Sequence, residues 1–151
     1  GTAACLCPTT ERDLADGIGP AAALAAAGCP LRVGSDAHAV ADLFEEARAV
    51  ELDERLATGR RGLHRPEALL AAATAGAELR AGAPADLCAV DLDGVRLAGA
   101  DPDGPVPMLV AAASAADVTD VVVAGRHVVR GGVHEALDVA AELRAAIAAV
   151  R

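Results

Sequence analysis

The stretch "LRVGSDAH", residues 31–38, contains Asp36, the residue on which the functional interpretation of this chain depends. A short apolar run ends abruptly in Gly34-Ser35-Asp36, and a helical pattern begins soon afterwards at Asp42. The run predicts a buried strand, which places a carboxylate at the strand's carboxyl end. Two interpretations of Asp36 follow from position alone. It could cap a turn or helix, where Asp and Ser are common, or it could be a metal ligand and general base.

The first 80 residues alternate between strand and helix signals. The predicted order is a buried strand at 2–7, a loop at 8–20, a helix at 20–28, a strand at 30–35, a helix from Asp42 to Gly59 and a helix at 66–80. Gly28 suits the C′ position after the first helix, and Asp42 with Glu45 resembles a capping box at the start of the second. Within the second helix, Glu51 and Arg55 can form an ion pair. Pro66 suits the first position of the third helix. This alternation predicts βα units on a parallel sheet, with polar loops at the carboxyl ends of the strands.

The pattern changes after Gly82. "ADLCAVDL" (85–92) predicts a strand, and "PMLVAAAS" (107–114) predicts a short helix. "DVTDVVVAGRHVVRGG" (117–132) predicts a β-hairpin with its turn at Ala124-Gly125. The last 17 residues, 135–151, have apolar residues at helical spacing and predict an amphipathic helix.

Composition limits the classes of partner. The chain has 151 residues, of which 54% are hydrophobic, and Phe44 is its only aromatic residue, so we expect a core of Leu, Val and Ala. The net charge of −9 argues against nucleic acid and anionic membrane surfaces as partners. No apolar window is long enough to predict a membrane span.

The cysteines and the first residues suggest an intracellular context. Cys5, Cys7, Cys29 and Cys88 fit neither a disulfide framework nor a CxxC metal site, so we expect reduced, buried thiols in a cytoplasmic protein. Cys5 and Cys7 should share one strand face and pack in the core. The start lacks both a basic signal-peptide region and an initiator Met, so we expect it to lie inside a longer protein.

Two pairs of segments resemble the amidohydrolase superfamily. "CLCPTTERDLADGIGPA" (5–21) and "LRVGSDAHAVADLFEEARAVE" (31–51) look like its last two βα units. "GAPADLCAVDLDG" (82–94) and "LVAAASAADVTDVVVAGRHVVRGG" (109–132) look like the closing part of its small β domain. The likeness covers about residues 1–133. Many members have Cys-Pro-Ser-Asn and Gly-Thr-Asp signatures, whereas this chain has Thr10-Glu11 and "GSDAH", a variant that most resembles the formimidoylglutamate deiminases.

The resemblance implies an α/β fold assembled from parts of a larger enzyme. Residues 1–82 would be the last βα units of a (β/α)8 barrel, residues 83–134 part of a small β domain, and residues 135–151 a C-terminal helix. Such a barrel typically needs about 250 residues, so this chain could supply only its final strands.

The resemblance also implies a reaction and a cofactor. In such enzymes a zinc-activated water attacks the formimidoyl carbon of N-formimidoyl-L-glutamate, giving N-formyl-L-glutamate and ammonia in histidine degradation. Asp36 aligns with the aspartate that binds the metal and transfers the proton. Two alternatives remain open: another deaminase of the superfamily, or a non-catalytic truncated module.

Other candidate site residues are less distinctive. His38 could contact the substrate or be a hydrogen-bonded loop residue, and Thr10 and Glu11 could orient substrate or only cap their loop. We expect His64, His127 and His134 to be structural or surface residues, because none has a ligand-like spacing.

A zinc site needs about three or four protein ligands, and the resemblance places the histidine ligands in earlier strands. We therefore expect the 151-residue chain to be inactive alone. We expect the intact enzyme to be a homo-oligomer that acts on a small molecule.

Overall fold

The computed structural model describes residues 1–75, 77 and 79–151, which form two compact units. The first unit contains Gly1–Leu79 and Leu92–Ala115, and the second contains Arg80–Asp91 and Ala116–Arg151. These units differ from the predicted segments 1–82, 83–134 and 135–151, because Leu92–Ala115 packs with the first unit. The predicted domain boundaries refer to a longer enzyme and stay a prediction.

Two parallel strands with helices packed beside them form the first unit. Its elements are β1 (Ala4–Leu6), α1 (Pro8–Leu14), α2 (Ala21–Ala26), β2 (Leu31–Val33), α3 (Leu43–Thr58), α4 (Pro66–Ala73) and α5 (Val106–Ala112). β1 and β2 pair in parallel, with Ala4 opposite Leu31 and Leu6 opposite Val33. The predicted alternation is therefore confirmed, and the carboxyl ends of both strands lie at one edge.

The segment 8–20, predicted as a loop, begins with a helix. α1 starts at Pro8, whose fixed φ suits the first helical position. The Glu11 carboxylate accepts a hydrogen bond from the backbone N–H of Cys7 at 2.9 Å, which satisfies a donor at the start of the helix. The prediction was wrong because Gly17, Gly19 and Pro20 lie beyond the helix, which ends before them at Leu14.

Capping residues mark the end of α2 and the start of α3 at the predicted positions. Gly28 follows α2 with φ +79°, and the N–H of Cys29 bonds to the carbonyl of Leu24, as in a Schellman motif. Asp42 caps α3 by accepting hydrogen bonds from the N–H groups of Phe44 and Glu45.

Three further helix predictions can be compared with the structure. The carboxylate of Glu45 binds Arg12 and Arg48 rather than completing a capping box. The predicted pair of Glu51 and Arg55 is confirmed, with Nε and Oε1 2.8 Å apart. α4 begins at Pro66 as predicted, but it ends at Ala73 rather than Arg80, since Thr74 and Ala75 leave the helical conformation. Positions 76 and 78 of that prediction lie outside the described residues.

The core of the first unit is aliphatic, as the composition predicted. Its buried cluster consists of Leu6, Ala21, Ala47, Val50, Leu69 and Val110. Arg48 ties α3 to the end of α5, because its guanidinium donates to the carbonyls of Val110 and Ala113 at 3.1 and 3.2 Å. These bonds satisfy carbonyl groups that a helix end leaves free.

An antiparallel sheet and a helix form the second unit. The strands β3 (Leu87–Val90), β4 (Val118–Val123), β5 (Arg126–Arg130) and β6 (Val133–His134) pair in that order. The predicted hairpin turn is confirmed, with φ +49° at Ala124 and φ +78° at Gly125. The predicted terminal helix forms as α6 (Val139–Ala149), capped by the side chain of Asp138, and none of its residues is buried.

The cysteines are free thiols, as predicted, but the prediction that they are buried was wrong. Cys5 and Cys88 are exposed, and Cys7 and Cys29 are partly exposed. Leu6 faces the helical core, so its neighbours Cys5 and Cys7 face the opposite side of the strand pair. Within the described residues, no helix is both long and apolar enough to cross a bilayer.

Candidate active site

Two polar segments meet at the carboxyl edge of the β1–β2 pair. One is α1, which follows β1, and the other is the loop that follows β2. The Thr10 hydroxyl, which is buried, donates a hydrogen bond to the carbonyl oxygen of Ser35 at 2.8 Å. A Cβ on Gly34 would lie 3.6 and 3.7 Å from the sulfur atoms of Cys5 and Cys7, so the start of this loop is also in close contact with the end of β1.

Asp36 lies in a tight turn at this edge. The backbone N–H of His38 donates to the carbonyl of Ser35 at 2.9 Å, which closes a four-residue turn. Asp36 is the second residue of that turn and has φ +45°, a left-handed conformation that Asp tolerates better than most residues. Its side chain is exposed at the end of the strand and is free of the helix-capping role that Asp42 fills.

His38 is oriented by an acidic partner that the sequence did not single out. Its Nδ1 lies 2.7 Å from Oδ2 of Asp13, which is on α1. This contact directs the other ring nitrogen, Nε2, away from Asp13. His38 is therefore hydrogen-bonded, yet it retains a nitrogen that could meet a ligand.

Glu11 and Cys7 are joined by a hydrogen bond at the start of α1. Glu11 Oε1 accepts a hydrogen bond from the backbone N–H of Cys7, so this carboxylate caps the start of its own helix. Burial raises the pKa of the Cys7 thiol to about 11, and the neighbouring Cys5, Asp36 and Glu11 add to this effect. At neutral pH Cys7 is therefore a neutral thiol and a poor nucleophile.

A buried carboxylate anchors α1 to α3. Glu46, which is fully buried, accepts hydrogen bonds from both the backbone N–H and the hydroxyl of Thr9. Sequence analysis missed Glu46 because "FEEARAVE" has no pattern that separates a buried glutamate from a solvated one. The signal available for α1 itself was the spacing of Pro8 and Glu11, which is typical of a helix start.

Two ring nitrogens of the remaining histidines, His64 Nε2 and His127 Nδ1, are buried without a hydrogen-bond partner among the described residues. His64 is buried, and its backbone N–H donates to Glu51 at 2.8 Å. Burial opposes ionisation of Glu51, but hydrogen bonds from Arg55, His64 and Gly62 outweigh it and lower the pKa of Glu51. His134 Nδ1 accepts from the N–H groups that follow it, and His127 lies 3.7 Å from Asp120.

The described residues contain no group of three or more metal-ligating side chains. Asp36 suits a divalent metal as one ligand, because it is an exposed carboxylate at the strand edge, and a carboxylate oxygen is an ordinary zinc ligand.

No family model matches the chain. By sequence it is 37% identical to formimidoylglutamate deiminase from Pseudomonas aeruginosa, over 89% of this chain and 33% of that protein. It is also 37% identical to 8-oxoguanine deaminase from the same organism, over 93% of this chain and 33% of that protein. The chain therefore spans about a third of the length of the curated relatives that it matches.

Two solved structures have the same fold as this chain over most of its length. An adenosine deaminase from Xanthomonas campestris with bound zinc matches with a TM-score of 0.86 and 27% identity, over 95% of this chain and 36% of that chain. An amidohydrolase from Brucella melitensis matches with a TM-score of 0.83 and 30% identity, over 99% of this chain and 36% of that chain. The chain thus has a mixed α/β fold that matches about one third of the length of each of these structures.

The relatives define a class of protein. They are hydrolytic deaminases of the amidohydrolase superfamily, which act on C–N bonds.

Proposed function

We propose that this chain is the C-terminal third of a zinc-dependent deiminase that hydrolyses N-formimidoyl-L-glutamate to N-formyl-L-glutamate and ammonia. One observation carries the proposal: an exposed carboxylate, Asp36, lies in a turn at the carboxyl edge of a parallel strand pair. This edge is where α/β barrels place catalytic groups. Its surroundings are part of a region 37% identical to formimidoylglutamate deiminase.

Asp36 would have two roles in the intact enzyme. Its carboxylate would hold the metal together with ligands from the rest of the barrel, and an Oδ atom would accept a proton from the attacking water. The same oxygen would then deliver that proton to the departing nitrogen. The remaining proton of the former water would follow it as the C–N bond breaks and the formyl C=O forms, so that the nitrogen leaves as ammonia. When bound, zinc would supply Lewis-acid chemistry by making its water more acidic.

His38 and Glu11 are the proposed substrate contacts. Nε2 of His38 is directed away from Asp13 and could bind a polar group of the substrate. Glu11 is the weaker candidate, because Oε1 is already held by the Cys7 N–H. The Thr10 hydroxyl is buried and bonded to Ser35, so we assign it to holding the loop.

A second substrate class has a specific observation in its favour. The 8-oxoguanine deaminase is as similar to this chain as the formimidoylglutamate deiminase is, at 37% identity. A nucleobase deaminase would use the same carboxylate at the same strand edge. The variant motifs "CPTTE" (7–11) and "GSDAH" (34–38) favour the formimidoyl substrate.

The test is a substrate comparison with the full-length enzyme. Its upstream reading frame must be cloned, and ammonia release should then be measured with N-formimidoyl-L-glutamate, 8-oxoguanine, guanine, cytosine and adenosine. We expect the highest kcat/KM for N-formimidoyl-L-glutamate. A preference for a nucleobase or nucleoside would reject this substrate and retain the class of enzyme, whereas the absence of any longer reading frame would favour the non-catalytic module.

A further inference from the structure

The turn that carries Asp36 is held at both ends by side chains of one helix. At its first residue, the carbonyl oxygen of Ser35 accepts a hydrogen bond from the Thr10 hydroxyl at 2.8 Å. At its last residue, Nδ1 of His38 lies 2.7 Å from Oδ2 of Asp13. Thr10 and Asp13 are three residues apart on α1, so they lie on the same face of that helix.

The turn needs such support because of its backbone conformation. Asp36 has φ +45°, a left-handed conformation that residues other than glycine rarely adopt. The closing hydrogen bond from His38 to Ser35 is 2.9 Å long. A conformation of this kind persists where the surrounding structure fixes it, and the two side chains of α1 fix the residues on either side of Asp36.

The supporting helix is itself anchored. The buried carboxylate of Glu46 accepts hydrogen bonds from the backbone N–H and the hydroxyl of Thr9, which joins the start of α1 to α3. The network therefore runs from α3 through α1 to both ends of the turn. A network of this kind can fix the backbone from which the Asp36 side chain extends.

We propose that Thr10 and Asp13 are positioning residues that set the direction of the Asp36 carboxylate. The catalytic importance of that direction rests on the proposed function. The two contacts differ in their surroundings, because the Thr10 hydroxyl is buried whereas the Asp13 side chain is 60% exposed. Since water competes less for a buried hydrogen bond, Thr10 has the larger effect.

The test uses the full-length enzyme with its metal bound. Thr10→Val removes the hydroxyl and keeps the shape, Thr10→Ser keeps the hydroxyl, and Asp13→Ala is compared with Asp13→Asn. Thr58→Val is the matched control, since the Thr58 hydroxyl donates to the carbonyl of Glu54 at 2.7 Å within α3. The readouts are kcat, KM, zinc affinity and the hydrogen exchange rate of the His38 amide.

We expect Thr10→Val to lower kcat by about tenfold and to change KM by less than about threefold, because small misplacement of a catalytic group slows chemistry more than binding. The His38 amide should also exchange faster and zinc should bind more weakly. Thr10→Ser should restore all these quantities, Asp13→Ala should show smaller changes than Thr10→Val, and Thr58→Val should resemble wild type.

Two results would overturn the inference. In the first, Thr10→Val leaves both kcat and His38 exchange unchanged. In the second, Thr10→Ser is as impaired as Thr10→Val, which would assign the effect to side-chain shape rather than to the hydroxyl. If wild-type enzyme deiminates none of the substrates, the proposed function fails separately, and His38 exchange and zinc affinity still decide whether Thr10 and Asp13 position the turn.

Discussion

The carboxyl edge of β1 and β2 and the antiparallel sheet of the second unit are stabilised in different ways. At the strand edge, the contacts join residues far apart in sequence, as in the bonds from Thr9 to Glu46 and from Thr10 to Ser35. In the antiparallel sheet, β4 and β5 are neighbours in sequence and are joined by a two-residue turn. The site region therefore depends on long-range polar contacts, whereas the β4–β5 hairpin follows from local pattern. β3 joins the same sheet only through a distant pairing, in which Leu87 lies opposite Val122.

The largest effect on stability is expected at Glu46. Glu46→Ala should lower the free energy of unfolding by about 2 to 4 kcal/mol, because two buried donors on Thr9 lose their acceptor. Urea unfolding of the full-length enzyme measures this loss. Glu46→Gln, which retains an acceptor, should lose less, and equal stability of Glu46→Ala and wild type would contradict the proposed anchor of α1.

Two helix-capping aspartates, Asp42 and Asp138, allow long-range and local contacts to be compared within one type of interaction. Asp42 accepts from Phe44 and Glu45 and also from the distant Ala115 N–H at 2.9 Å, whereas Asp138 accepts from Ala141 within its own helix. Asp42→Ala should therefore cost about 2 kcal/mol and Asp138→Ala about 0.5 to 1 kcal/mol. Equal losses in urea unfolding would show that the long-range bond adds nothing.

The pKa of Glu51 predicts an acid-sensitive contact in the first unit. Because the folded state lowers this pKa, the stabilisation is present above the unfolded value of 4.5 and is lost as pH falls through the folded value. Amide exchange at Gly62 and His64, whose N–H groups bind Glu51, should therefore accelerate in acid. In Glu51→Gln this pH dependence should disappear, and its persistence would assign the acid effect to another group.

The smallest effect is expected in the hairpin turn. Ala124 has φ +49°, where a side chain with a Cβ is strained, so Ala124→Gly should stabilise the hairpin by about 0.5 to 1 kcal/mol. Ala145→Gly, within α6, should instead destabilise by about the same amount, because glycine is unfavourable in a helix. Thermal unfolding that shows the same sign for both variants would contradict the local account of this turn.

Sequence-based prediction succeeded mainly for features that depend on local contacts and was less successful for those that depend on long-range contacts. The hairpin, β1, β2 and the caps at Gly28 and Asp42 were predictable, because each depends on residues close together in the chain. α1 was mistaken for a loop. One of its anchors, Glu46, lies 37 residues from Thr9, a separation that no local pattern reveals.

The candidate site was predictable in position but not in its supports. A polar run after an apolar strand was enough to select Asp36 and His38. Asp13 could not be selected, because an aspartate in "ERDLADG" gives no indication that it binds a histidine 25 residues away. Among the described residues, no group of three metal-ligating side chains includes Asp36, so further ligands of the proposed metal site could not be selected from this sequence.

The proposed catalytic role of Asp36 can be tested with Asp36→Asn in the full-length enzyme. Deamination of N-formimidoyl-L-glutamate and bound zinc should be measured for this variant, for wild type and for Asp103→Asn, which changes an exposed loop carboxylate. We expect Asp36→Asn to lower kcat by about 10² to 10⁴-fold and to weaken zinc binding, whereas Asp103→Asn should resemble wild type. Turnover of Asp36→Asn within about threefold of wild type, with zinc fully retained, would contradict this role.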